Sequence, residues 1–457
     1  MEKFSFRNSI FKISVVLVML TVLIISGPLS ASAEEIALPE YNYDSFQLDN
    51  GLKVMVFPDH DIPLLRLSIY YNVGSIDEPE NKTGISHFLE HSMFLGTEAV
   101  PKWKIDDLIS SVGGSLNAAT SFDYTYYYHE VPSSMLELVM ALEADRMTNL
   151  EFDTEEIARE KEVIKQERRM RTENNIFSNG FEKIKAAAYA ETPLEHGVIG
   201  WMEDIESISV ADLKDYYKKY YSPNNALLIV SGDVETSEVR ELAEKYYSDI
   251  EKQQIGSRDY QFPEQESEIV EKVYLETRIP YALMLYKVPS GDHKDIISLD
   301  IFLDILANQQ NSRLKDRLQK EESLILSTGA FLYQLRVPSF ALVYFIPSDR
   351  NLVDKAQTAY EEVIDEIFKE GITEDEFEIV KKQYQKSLIF SQKDINQTAS
   401  SAALNELRFG RAELLKEKIN ILNNLSREDI IETAQEYFRK SNRTRGYILP
   451  KSAGDNQ

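Results

Sequence analysis

Hydrophobic positions along the chain change period several times, and each change marks an element. Phe46, Leu48, Leu52, Val54 and Val56 recur largely at alternate positions on either side of Asp49-Asn50-Gly51. That pattern predicts two short strands joined at an Asn-Gly turn. Residues 65–73 alternate in the same way and read as another strand. Over 83–96 and again over 105–112 the apolar spacing shifts to the helical period. The Tyr-rich run at 121–131 returns to strand composition. Residues 134–146 and 154–171 predict helices, each opening on a Ser or Thr suited to the N-cap. The apolar run 226–230 reads as a buried strand ended by Ser231-Gly232-Asp233, and 239–247 is helical again.

The pattern then starts over. Residues 253–268 are polar and aperiodic, contain Gly256 and Pro263, and read as a linker. Beyond them, Tyr286-Lys287-Val288-Pro289-Ser290 answers Tyr71-Asn72-Val73-Gly74-Ser75 at a distance of 215 residues. Thr373-Glu374-Asp375, opening a charged helical stretch, answers Thr154-Glu155-Glu156 at 219. Two similar domains are therefore expected, at 34–252 and 269–450, with a short tail at 451–457. Strands and helices interleave without a strict βαβ rhythm, and several strand pairs look like hairpins. The expected class is α+β, with helices packed on one face of a largely antiparallel sheet in each domain.

Composition narrows the picture further. The 457 residues suit two or three domains. Lys3, Arg7 and Lys12 precede an apolar run at 13–25, and Ala31-Ser32-Ala33 follows as a small-residue cleavage site. Residues 1–33 read as a signal peptide cleaved after Ala33. The run is shorter than the roughly 20 residues of a spanning helix, so no stable membrane anchor is expected after cleavage. The expected location is the periplasm or the outside of the cell. A net charge of -26 argues against nucleic acid as a partner. The chain has no cysteine, hence no disulfide, thiol nucleophile or thiolate metal ligand. A metal would have to sit on His and carboxylate, and there are only six His.

One string concentrates the candidate chemistry: Gly84-Ile85-Ser86-His87-Phe88-Leu89-Glu90-His91-Ser92-Met93-Phe94. On a helix, His87 and His91 project from one face, at a spacing that lets two imidazoles hold one Zn²⁺. Glu90 shares that face and can reach a water at the metal. The order is His-x-x-Glu-His, the inverse of His-Glu-x-x-His. Phe88, Leu89, Met93 and Phe94 would bury the helix, and a buried helix needs a reason to hold two His and a Glu. Zinc also wants a third protein ligand. The helix at 154–171 offers Glu155, Glu156, Glu160, Glu162 and Glu167, and spacing does not choose among them. Glu160 and Glu167 lie two turns apart and share a face.

The surrounding strings extend the pattern. They include Asn72-Val73-Gly74-Ser75, Phe94-Leu95-Gly96-Thr97, Gly113-Gly114-Ser115-Leu116-Asn117-Ala118, Leu142-Glu143-Ala144-Asp145-Arg146-Met147 and Glu160-Lys161-Glu162-Val163-Ile164-Lys165-Gln166-Glu167. Together they resemble the pitrilysin/insulinase family of inverted-zincin zinc metallopeptidases, especially the two-domain branch that includes mitochondrial processing peptidase. The resemblance is dense over 42–250 and thinner to about residue 450. It implies a processing-peptidase-like metallohydrolase with one Zn²⁺ per chain. His87, His91 and Glu167 match the family's zinc ligands, and Glu90 its general base. Glu160 matches an acidic residue behind the site that supports catalysis. Asn117, Ala118 and Ala119, with Thr120 after them, match a segment where the family binds extended peptide as an added strand. The implied activity is that of an exported zinc endopeptidase cutting unfolded peptides or short protein segments through a zinc-activated water, without a covalent intermediate. The alternative is a non-catalytic structural or assembly subunit of the same fold, and the complete ligand set speaks against it.

The second half departs from the first. A shift of 215 residues sets Phe302, Ile305 and Leu306 where His87, Glu90 and His91 sit, and no carboxylate falls near Lys386. Many family members carry an Arg and a Tyr seven residues apart in the second domain, where they help bind substrate. Aligned on Ser312-Arg313-Leu314, those positions hold Gln319 and Leu326. Tyr333 and Arg336 lie nearby at a spacing that does not match. The resemblance therefore implies a homologous partner subunit supplying the missing Arg/Tyr pair, otherwise a homodimer. His60, His129, His196 and His293 read as ordinary loop or sheet histidines, and Tyr126-Tyr127-Tyr128 as sheet packing.

Overall fold

Two sheets of nearly the same design make up the protein. The computed structural model describes residues 42–102 and 104–451; the signal read at 1–33 and all but the first residue of the expected tail lie outside the described residues. In the first half the strands are β1 (Asp44–Gln47), β2 (Lys53–Pro58), β3 (Leu64–Tyr71), β4 (Ser115–Thr120), β5 (Thr125–Pro132) and β6 (Ala226–Gly232). They pair in the order β1-β2-β6-β3-β5-β4, and only β2 and β6 run parallel. In the second half the strands are β7 (Ile269–Leu275), β8 (Tyr281–Val288), β9 (Ile325–Leu332), β10 (Ser339–Pro347) and β11 (Arg443–Pro450). Their order is β7-β11-β8-β10-β9, again with a single parallel pair, β7 and β11. Apart from β1, the second sheet repeats the connectivity of the first.

The helices of the first half are α1 (Ile85–Ser92), α2 (Lys104–Ser111), α3 (Leu136–Thr148), α4 (Thr154–Arg168), α5 (Ile176–Ala188), α6 (Met202–Ser207), α7 (Val210–Tyr220) and α8 (Thr236–Tyr247). Those of the second are α9 (Ile296–Leu303), α10 (Val353–Glu370), α11 (Glu374–Phe390), α12 (Ile395–Phe409), α13 (Leu414–Asn424) and α14 (Arg427–Tyr437). The duplication extends to the caps. Ser209 and Asp212 close a reciprocal capping box on α7, and Ser426 and Asp429 close the same box on α14.

Several boundaries differ from the sequence expectation. The helix expected over 83–96 is only α1. Gly84 takes a left-handed φ of 87° at its N-cap, and the chain turns out of the helix at Met93. The strand expected over 121–131 starts at Thr125, because Ser121 N–H closes a turn on the Tyr124 carbonyl at 2.8 Å. The helix expected over 154–171 is regular to Arg168 and then widens into a π-type turn at Arg169–Glu173. Strand β4 and helices α5, α6 and α7 were not expected as elements. The α7 capping box was legible in Ser209-x-x-Asp212.

Each sheet carries helices of its own half on one face, as expected, and a helix of the other half on its second face. The inner face of the first sheet, with Val54, Leu67, Ile69, Tyr127 and Leu228, is covered by helices of its own half. Its outer face carries Met55, Phe57, Tyr70, Leu227 and Ile229, and Ala399 and Ala403 of α12 from the second half lie on it. In return α5 of the first half lies on the outer face of the second sheet, with Ile184 and Ala188 against Leu283, Leu285, Leu342 and Ile448. The close approach needs glycine on both partners. A Cβ on Gly180 would sit 2.2 Å from Ile448 Cδ1, and one on Gly446 would sit 2.4 Å from Ile184 Cγ2. Each half thus covers the other's second face, which removes apolar area from water and joins the halves.

Candidate active site

Three elements bring the candidate residues together. Helix α1 packs its apolar side, Phe88 and Leu89, into the first core and so fixes the direction of His87, Glu90 and His91. Helix α4 crosses it and delivers Glu160 and Glu167 from one face. Strand β4 is the edge of the sheet and runs beside α1. A cleft of about 1060 Å³ opens over this junction.

Donor atoms of His87, His91 and Glu167 all lie within 4.8 Å of one another. Glu167 Oε2 is 3.4 Å from His91 Nε2 and 3.7 Å from His87 Nε2. His91 Nδ1–H donates to Glu160 Oε1 at 2.7 Å, which leaves Nε2 facing Glu167. A carboxylate behind a ligating imidazole fixes its tautomer and strengthens it as a donor. Glu160 is therefore placed behind His91 and not in the triad itself. Arg171 Nη1 lies 3.0 Å from Glu167 Oε1. Glu90 is 9% exposed and stands beside the triad, its Oε2 accepting from Thr120 Oγ1 of β4 at 2.5 Å.

Electrostatics distinguish the two imidazoles. Burial, reinforced by His91, pushes His87 down to about 3, so it is a neutral lone-pair donor. Burial also opposes charge on His91, but its hydrogen bonds to Glu160 and Glu167 outweigh that and raise it to about 9. Metal bound by His91 would therefore displace a proton. The hydrogen bond from His91 lowers Glu167, and burial raises Glu90. Two imidazole nitrogens and a carboxylate, in a partly buried cleft with open volume beside them, form the donor set that Zn²⁺ takes in open sites. The residues present fit the metal.

Asn117, Ala118 and Ala119 all line the cleft. They lie on β4, whose only strand partner among the described residues is β5, so among those residues its other edge is open to a further strand. Asn117 Oδ1 accepts from the Ala118 N–H at 2.9 Å. The sequence had not singled out Val163 and Met170. Val163 lies on α4 and Met170 on the π-type turn that follows it; both line the cleft and are 51% and 72% exposed. Their signal was present, since they fall three residues after each of the two glutamates. His60, His129, His196 and His293 all lie outside the triad. His129 is buried against Glu143, its Nε2 2.6 Å from Glu143 Oε1.

The chain is similar to known proteins over most of its length. Residues 55–200 match the family model described as insulinase, peptidase family M16, and residues 207–384 match the one described as peptidase M16 inactive domain. A Helicobacter pylori protein named zinc protease PqqE is 27% identical over 416 residues, covering 89% of this chain and 93% of that one. A crystal structure of a protease from the same organism superposes with a TM-score of 0.84 at 26% identity, over 90% of this chain and 100% of that chain. An Escherichia coli protein named probable zinc protease PqqL is 25% identical over 409 residues, which is 86% of this chain but 43% of that one. Two repeated α+β halves, with the His–Glu–His helix on the first alone, define a two-domain protein of the inverted-zincin type. The chain belongs to the pitrilysin/insulinase family of metallopeptidases, in its two-domain branch.

The hydrogen bond from His91 to Glu160 makes a specific prediction. Glu160→Gln should weaken zinc binding by about 10–100-fold, the usual cost of losing an outer partner of a ligating histidine. Competition with a chromophoric chelator measures it. Unchanged affinity would make the bond incidental.

Proposed function

We propose that the chain is a zinc-dependent endopeptidase that is exported and acts on unfolded peptides or short protein segments. The observation that carries the reading is the convergence of His87, His91 and Glu167 within 4.8 Å, with Glu90 buried beside them and a free strand edge alongside. His87, His91 and Glu167 would hold one Zn²⁺. Zinc in such a site lowers the pKa of water toward neutrality and polarises the scissile carbonyl. The chain's own residues do the rest. Glu90 takes a proton from the attacking water and returns it to the leaving amine, and its raised pKa suits that exchange. Glu160 holds the His91 ring. The edge of β4 at Asn117, Ala118 and Ala119 pairs with substrate main chain and leaves side-chain choice loose.

Export rests on the charged, apolar and small-residue succession of residues 1–33. Among the described residues no helix is long and apolar enough to cross a membrane. A structure of PqqL is titled as that of a periplasmic protease. The domains are read at 34–252 and 269–450 around the linker 253–268.

We read the chain as the zinc-bearing subunit of a two-subunit enzyme. It corresponds to about half of PqqL. Gln319 and Leu326 stand side by side, Gln319 Nε2 donating to the Leu326 carbonyl at 2.8 Å, and Leu326 is 51% exposed. The spot where a relative's Arg and Tyr are expected is thus a single surface patch without either. Arg336 does not substitute for them, because the first half holds its side chain, which is 9% exposed.

The test is zinc content and hydrolysis of an unstructured fluorogenic peptide library by the mature chain, with mass measured by sedimentation. Bound zinc with activity that appears only when a homologous partner is added is the expected result. Full activity of the isolated chain would overturn the two-subunit arrangement. Absence of zinc would overturn the peptidase reading.

A further inference from the structure

Arg336 lies between β9 and β10 of the second half, yet its side chain ends in the first. Its Nη2 donates to Asp77 Oδ2 at 2.6 Å and to the Tyr260 hydroxyl at 2.9 Å. Its Nη1 donates to Asn72 Oδ1 at 2.6 Å and also to the Asp123 carbonyl. Its backbone N–H donates to Asp123 Oδ2 at 2.9 Å. Asp77 is enclosed, with a side chain 1% exposed. Tyr260 donates to Asp77 Oδ1, Arg258 Nε lies 3.3 Å from it, and the Gly74 N–H donates to Oδ2 at 2.9 Å. A guanidinium fork can fix two acceptors in direction as well as distance, which an ammonium cannot.

The next residue carries this to the metal helix. Glu78 has a fully buried side chain. Its Oε2 accepts from the Gly84 N–H at 2.7 Å and its Oε1 from the Ser86 N–H at 2.9 Å. These are orphan donors at the start of α1, and Gly84 at the N-cap has no side chain to satisfy them. Helix α1 is eight residues long and carries His87, Glu90 and His91, so its entry angle sets where those three side chains point. The path from Arg336 to the triad therefore runs through two adjacent residues, Asp77 and Glu78, and two main-chain hydrogen bonds.

We propose that Arg336 is a positioning residue for the metal triad: the second half, through its hold on Asp77, fixes the Glu78 cap and thereby the orientation of α1. The proposal rests on the reading of His87, His91 and Glu167 as metal ligands. It assigns the second half a role within its own chain, separate from any contribution to a partner.

The full chain is tested after loading with cobalt(II), whose visible d–d absorption reports ligand geometry, and zinc affinity is measured by chelator competition. Arg336→Met and Arg336→Lys should each weaken zinc binding by about tenfold or more, within the range for outer partners of metal ligands, and should change the cobalt spectrum. Glu78→Gln should produce the same changes, and its combination with Arg336→Met should add little, as expected for residues acting in one path. If Arg336→Met does not fold, Arg336→Lys and Tyr260→Phe carry the test. Affinity within about twofold of the parent and an unaltered cobalt spectrum, with only the melting temperature reduced, would make Arg336 a tie between halves and overturn the proposal. A parent chain that binds zinc and hydrolyses no peptide counts against the endopeptidase reading alone, and the cobalt and affinity measurements still decide this one.

Discussion

Glu90→Gln is expected to leave zinc bound and to lower the rate of peptide hydrolysis by about 10²–10⁴-fold, the usual contribution of a positioned acid–base group. Glutamine has nearly the same shape, and its amide oxygen can keep the hydrogen bond from Thr120 Oγ1. It cannot accept the proton that a carboxylate takes. Glu90 lies beside the His87–His91–Glu167 group and not in it, so metal content should not change. Turnover on a fluorogenic peptide and zinc by atomic absorption measure the two quantities separately. A variant as fast as the parent would remove Glu90 from the chemistry. A variant that loses zinc would make Glu90 part of the metal site.

The largest expected loss of stability is at Arg146. Its side chain is 1% exposed and that of Glu143 is fully buried. Arg146 Nη1 donates to Glu143 Oε1 at 2.5 Å, and its Nε donates to the Met93 carbonyl at 3.1 Å, just past the end of α1. The rings of Tyr127 and Phe94 lie 4.8 and 5.2 Å from the guanidinium carbon. Arg146→Met strands the Glu143 charge in the core with only His129 for company, and should cost about 3–5 kcal/mol, as breaking a buried ion pair from one side does. The double variant Glu143→Gln with Arg146→Met removes both charges and should recover part of that loss. Denaturant midpoints measure both. A single variant within about 1 kcal/mol of the parent would mean that water or a rearranged partner satisfies Glu143.

The sequence alone reached far on the first half and less far on the second. The His87, Glu90 and His91 cluster was legible because all three sit on one short helix, where period 3.6 decides which side chains share a face. The choice of the carboxylate that joins them was not. Five glutamates on α4 were equivalent by spacing, and the resemblance alone favoured Glu167. The structure separates them. Glu155 and Glu162 have side chains 84% and 62% exposed, Glu156 is held by Lys102 and Arg159, Glu160 faces His91 Nδ1, and Glu167 reaches both Nε2 atoms. That selection depends on how α4 crosses α1, which no local period encodes.

Arg336 makes the same distinction. In the chain it lies near Gln319 and Leu326 at a spacing that does not match the missing pair, and no role for it was legible in the sequence; its side chain pairs with Asp77 across the interface between halves. The exchange of α5 and α12 between the two outer sheet faces was likewise not foreseen. Each helix reads as an ordinary amphipathic segment, and the sheet it covers is built mostly from strands far away in the chain. What the sequence determined by itself was whatever depends on near neighbours: strand alternation, the helix that carries His87, Glu90 and His91, and the repetition of one design, although Asp153 and not Thr154 caps α4. What only the tertiary structure decided was which distant surfaces meet, because that follows from the complementary shape of whole faces, such as Gly180 against Ile448 and Gly446 against Ile184, and not from the pattern of either face alone.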